Sequence, residues 1–103
     1  MFALATASSG VRNVRTLSTG PKTSSRAMRC AVETANNTPY GLSAGVWTDK
    51  GSRILRIADQ LRAGVVWANT FNKFDPSSPF GGYKESGYGR EGGRHGLEAY
   101  LAH

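Results

Sequence analysis

The sequence predicts an α/β fold, a partial parallel-sheet fragment. A βαβ unit is followed by a long Gly/Pro-rich loop and a short C-terminal helix. Two apolar runs and the stretch between them carry the prediction. Leu42 to Trp47 and Val65 to Asn69 are short, largely apolar or β-branched, and of strand length. Between them Ile54, Leu55, Ala58 and Leu61 recur at helical spacing and form one apolar stripe, closed by Arg62 and Gly64 as C-terminal signals. Strand, helix and strand within about thirty residues cross over right-handedly onto a parallel pair.

The flanking elements follow in order. Ala31 to Asn36 reads as the last turns of a helix, which Pro39 and Gly41 stop. Thr48 or Asp49 can cap the crossover helix. Residues 70–90 form a long irregular connection of the kind that is usually functional. Glu91 to Leu101 reads as a short, glycine-weakened helix. A parallel pair with one helix leaves a sheet face and both edges uncovered, so Leu42, Val46, Val65 and Trp67 are expected to form a partly exposed stripe.

At 103 residues, 39% hydrophobic and with 13 glycines, the chain has room for one small domain with a modest core. Its net charge of +6 suggests nucleic acid, but the distribution argues against it. Residues 1–32 hold Arg12, Arg15, Lys22, Arg26 and Arg29 without an acid, whereas residues 33–103 carry only +1. The folded part therefore has no basic footprint. One cysteine excludes an internal disulfide and suits a reducing compartment, and no apolar run is long enough for a bilayer. Cytoplasmic location is expected. Residues 1–30 form a basic Ser/Thr/Ala-rich leader, expected to be disordered, and residues 31–103 the domain. The leader's composition fits a mitochondrial transit peptide, which would change the location, and equally a stretch read out of frame.

Four segments point to a relative. They are Ala31 through Thr48, with Asn37-Thr38-Pro39-Tyr40-Gly41-Leu42 within it; the helix end Leu61-Arg62-Ala63-Gly64; the Trp67-Ala68-Asn69 strand; and Phe74 through Phe80, continuing Ser78-Pro79-Phe80-Gly81-Gly82-Tyr83-Lys84-Glu85-Ser86-Gly87 to Glu91. In this order and spacing they resemble the C-terminal part of an NAD(P)-dependent aldehyde dehydrogenase, over about Ala31 to Leu101. The resemblance implies that a cysteine thiolate attacks the aldehyde, hydride passes to nicotinamide, and a glutamate-activated water hydrolyses the thioester. It also implies that the Gly-Gln-x-Cys nucleophile, the general-base glutamate and the cofactor fold lie upstream of the matched region. A further oligomer-forming strand would follow Leu101. This chain alone is thus expected to hold no catalytic, cofactor-binding or metal residue, to bind neither NAD nor NADP, and to be inactive. A truncated module docking onto a full-length aldehyde dehydrogenase subunit is the alternative.

The resemblance assigns Phe74 and Phe80 to the substrate pocket. They match two loop positions, six apart, whose rings line an apolar aldehyde tunnel. Simple core packing is the competing reading. Asp75 and Pro76 would tune substrate size, and Asn69, Gly81, Gly82, Lys84 and Gly87 would shape the loop. Trp67 reads as core. Cys30 has Arg26 and Arg29 nearby, which favour a thiolate, but its context is wrong for the nucleophile and it reads as an incidental thiol. Gly87 to Gly92 satisfies G-x-G-x-x-G, yet no strand leads into it and no acid follows at dinucleotide spacing. His95 reads as a solvated histidine. Stacking of Tyr83, Tyr88 and Arg90 on RNA would need an RNP-type strand, which is missing.

Overall fold

A computed structural model of the chain describes residues 24–102 in full. Before them it describes the strands Phe2–Ala7 (β1) and Leu17–Thr19 (β2). The first helix, α1, runs Ser25–Asn36, twice as far as its apolar end suggested. Ser24 caps it, its hydroxyl accepting from the Ala27 amide at 3.2 Å. Ala31, Val32 and Ala35 are buried on its inner face. The expected boundary after residue 30 falls inside this helix. β1, β2 and the first half of α1 fall within residues 1–30, and the remaining leader residues lie outside the described residues.

Tyr40–Gly41 forms β3, Ser43–Trp47 β4, Gly51–Ala58 α2 and Val65–Ala68 β5. β4 and β5 pair in parallel, with Ser43 opposite Val65 and Gly45 opposite Trp67. The predicted βαβ unit is present. Its edges differ from the expectation, because β1 pairs antiparallel with β4, and the sheet order is β2-β1-β4-β5. The unpaired amides and carbonyls of a bare β4 edge are a template for another strand, and β1 occupies it. β6 (Tyr83–Lys84) pairs with β3, and Gly93–Glu98 is the final helix, α3, shorter than expected.

Side-chain alternation decides where the core lies. Ala44 and Val46 face α1 and α2, and with Ala31, Val32, Ala35, Ile57 and Leu61 they make the buried cluster. Gly45, Val65 and Trp67 face the other way. The expected stripe of Leu42, Val46, Val65 and Trp67 is therefore split between two faces. The α2 stripe also shifts. Ile57 is fully buried and Ile54 packs on the core, whereas Leu55 is 75% exposed. Neither Thr48 nor Asp49 is the cap; Lys50 is, with no side-chain capping bond. Asn36 ties the two helices together. Its Nδ2 donates to the Gln60 carbonyl and its Oδ1 accepts from the Arg62 amide, both at 2.8 Å.

Candidate functional site

The sheet face away from the helices is where the loop after β5 lies. Asn69 redirects the chain there at φ 52°, a left-handed conformation that Asn tolerates. Its side chain imitates a peptide group. Oδ1 accepts from the Thr48 amide at 2.8 Å and Nδ2 donates to the Thr48 carbonyl at 3.0 Å, so the parallel ladder gains one more rung. Asn69 shapes the loop, as expected.

A file of aromatic rings follows. Trp67 is 6% exposed and meets Phe71 at 4.7 Å and Phe74 at 5.3 Å between centroids, both edge-on. Phe74 meets Phe80 at 4.9 Å, again edge to face. Trp47 stacks on Phe71 at 6.5 Å. Gly45 makes room for this, since a Cβ there would lie 2.3 Å from the Trp47 ring. The Trp67 indole N–H donates to the Lys73 carbonyl at 3.2 Å and closes the first turn of the loop. The structure thus brings Phe74 and Phe80 together. Phe80 is half-buried, while Phe74 is 57% exposed despite two ring contacts. Sequence reasoning missed Phe71 as a member of the file, although its position four residues after Trp67 is a legible signal.

The loop's return strand is pinned around Phe80. Phe80 and Glu91 exchange both backbone hydrogen bonds, at 2.7 and 2.8 Å. Arg90 sits inside the glycine-rich turn, its Nη1 donating to the carbonyls of Gly82 (2.8 Å), Gly89 (2.9 Å) and Tyr88 (3.3 Å). Its guanidinium also lies 4.8 Å from the Tyr83 ring centre. Lys84 Nζ donates to the carbonyls of Asn36 and Thr38 and satisfies the C-terminal end of α1. These contacts give Lys84, Gly82 and Arg90 structural work. Beside Phe74, Asp75 Oδ1 accepts from the Ser77 hydroxyl and amide at 2.6 and 2.8 Å.

Those two bonds, the hydroxyl's first, hold the Asp75 carboxyl below its ordinary value. A depressed carboxylate pKa gives order that is present above the unfolded value of 3.8 and lost as pH falls through the folded one. Acid should therefore loosen the turn around Asp75 while neutral pH leaves it intact. Amide exchange of Ser77 followed from pH 6 to 3 checks this, and Asp75→Asn should flatten the profile. An unchanged profile in that variant would count against the turn.

Other candidates do not join the site. Cys30 is exposed on α1, on the far side of the sheet from the aromatic file. The carbonyls of the Gly87–Gly92 turn converge on Arg90, the opposite of the inward amides that a pyrophosphate needs. These residues do not fit a dinucleotide. His95 is exposed and lies 3.5 Å from Glu98, a surface pair. Among the described residues no group of three His, Cys, Asp or Glu could hold a metal, and no helix is long and apolar enough to cross a membrane.

Known proteins resemble this chain in sequence and fold. Residues 23–103 match the sequence profile of the Aldehyde dehydrogenase family. The chain belongs to that family. It is 56% identical over 70 residues to 2-hydroxymuconic semialdehyde dehydrogenase of Pseudomonas sp. (strain CF600), covering 68% of this chain and 14% of that one. Phenylacetaldehyde dehydrogenase of Pseudomonas fluorescens is 54% identical over 69 residues, covering 67% and 14%. The fold is similar to that of Staphylococcus aureus betaine aldehyde dehydrogenase in complex with NAD+, with a TM-score of 0.70, 41% identity and coverage of 73% and 15%. This aldehyde dehydrogenase segment therefore spans about one seventh of the length of the relatives it matches. The family is one of NAD(P)-dependent oxidoreductases.

Proposed function

We propose that this chain forms one wall of an aldehyde-binding pocket, the parent reaction being oxidation of an aldehyde to a carboxylic acid with NAD(P), and that by itself it is inactive. The observation that carries the reading is the aromatic file. Trp67 orients Phe74 edge to face, and Phe74 in turn meets Phe80 edge to face, yet more than half of the Phe74 surface remains open. An apolar wall fixed from behind and open in front suits a small apolar substrate, whose desolvation and orientation it would assist. Bond making needs a thiolate and a general base. Cys30 lies across the sheet from the rings, so the two cannot act on one carbonyl.

The purified chain is expected to produce no NADH at 340 nm from any aldehyde and to show no heat of NAD binding by calorimetry. Turnover that disappears in Cys30→Ser would overturn the reading. Docking onto a full-length dehydrogenase subunit is the second reading, favoured by the exposure of Phe71, Phe74, Leu97 and Leu101. A cytoplasmic site of action, or a mitochondrial one if the leader is a transit peptide, belongs to the same proposal.

The pocket role has its own test. In a complete dehydrogenase carrying this segment, Phe80→Ala should enlarge the site. Efficiency with acetaldehyde-sized substrates should fall further than with benzaldehyde-sized ones, by about 1–3 kcal/mol of discrimination. Equal losses for both sizes would make Phe80 a packing residue only.

A further inference from the structure

We propose that the cleft between the first turn of α1 and one side of α2 binds a phosphate dianion, either free or as the terminal group of a phosphomonoester. The cleft has a volume of about 210 Å³ and is lined by Ser25 and Met28 from α1 and by Lys50, Ser52, Arg53 and Arg56 from α2. Among the described residues, three cationic and two hydroxyl side chains belong to its lining and no acidic one does. Lys50, Arg53 and Arg56 recur every three residues, so they share one side of the helix and repel one another. Among the described residues the ion pair within 4.0 Å is His95 with Glu98, so none of the three has a carboxylate partner. Lys84 and Arg90, by contrast, are tied to backbone carbonyls.

An oxyanion in this cleft would relieve the repulsion and meet donors of the right kind. Two guanidinium forks suit the geometry of tetrahedral oxygens, and Lys50 adds a point charge. Ser25 and Ser52 can donate to the remaining oxygens. The cleft is a single concave site on a domain whose charge beyond residue 32 is nearly balanced, which suits a compact anion and not a polymer backbone. It lies on the helical side of the sheet, opposite the aromatic file, and its occupancy does not depend on the aldehyde reading.

The test is a titration of the full chain with inorganic phosphate at constant ionic strength, followed by amide shifts and calorimetry. Matched titrations use glycerol 3-phosphate and sodium chloride. Saturable one-to-one binding is expected, with shifts centred on Ser25, Ser52 and Arg53. Tighter binding of the glycerol ester would assign the phosphomonoester. Arg53→Gln with Arg56→Gln should weaken phosphate binding at least tenfold, while Arg94→Gln on α3 should leave it unchanged. If the double variant loses its helical circular dichroism, Lys50→Gln provides the same comparison. Chloride shifts equal to those with phosphate, or undiminished phosphate binding in folded variants, would overturn the site.

Discussion

Gly64→Ala is expected to destabilise this chain markedly. A Cβ at that position would stand 1.6 Å from the Gly81 carbonyl oxygen and 2.7 Å from its carbon. The obstacle is backbone, so no rotamer change relieves it. Gly64 also donates to the Gly41 carbonyl at 2.9 Å, which stops it from backing away from Gly81. To admit the methyl group, the Phe80-Gly81 segment must lift off the start of β5. Overpacking of this kind costs about 1–3 kcal/mol and occasionally more, a large part of the roughly 5–15 kcal/mol of an ordinary domain. Gly51→Ala is the control, because a Cβ there meets nothing within 4 Å and alanine favours the helix. Urea unfolding followed by circular dichroism compares the two. A Gly64→Ala chain that unfolds at the parental midpoint would show that the close approach is not held in solution.

Trp67→Ala should have an effect at least as large, and one that reaches the proposed pocket. Trp67 is the link in the aromatic file that the sheet holds rigidly. It touches Phe71 and Phe74 and anchors Lys73 through its N–H. Emptying so large a buried site costs about 3–5 kcal/mol. Phe74 then loses the edge contact that orients it, and Phe80 loses its fixed neighbour. Trp67→Phe keeps a ring but no N–H donor, so it should recover most of the stability while leaving Lys73 untethered. Ring-proton shifts of Phe74 and Phe80 report the difference. Unchanged shifts in Trp67→Ala would mean that the loop orders itself without the sheet.

Several parts of this architecture were legible because they depend on local periodicity. The two parallel strands and the intervening helix follow from apolar runs and i, i+3, i+4 spacing, and the family from segments whose residues are recognisable in order. Alternation in β4 and β5 was also legible in principle. Which alternate set faced the helices was not, because the phase of each strand depends on its pairing register. Leu42 and Val46 were therefore grouped with Val65 and Trp67, although Gly45 lies opposite Trp67 and puts the two pairs on opposite faces. The same limit affected α2. Leu55 looks like a core residue until Ile57 is seen packed against β4 with zero exposure.

Gly64 shows the limit most clearly. By position it reads as a helix-stop glycine, but α2 ends at Ala58 and the positive-φ glycines among the described residues are Gly87, Gly92 and Gly93. It is glycine because the backbone of Gly81, 17 residues further on, passes where its Cβ would stand, a non-local fact. The sequence by itself determined the βαβ unit, the aldehyde dehydrogenase lineage and the choice of Phe74 and Phe80, since each rests on local pattern or on a contiguous motif. Tertiary structure decided the pairing of β1 on β4, the alignment of five aromatic rings over one sheet face, the tie from Lys84 to the end of α1 and the cationic cleft between α1 and α2. Each of these joins residues far apart in the chain, and their meeting is set by strand register and helix packing, not by spacing along the sequence.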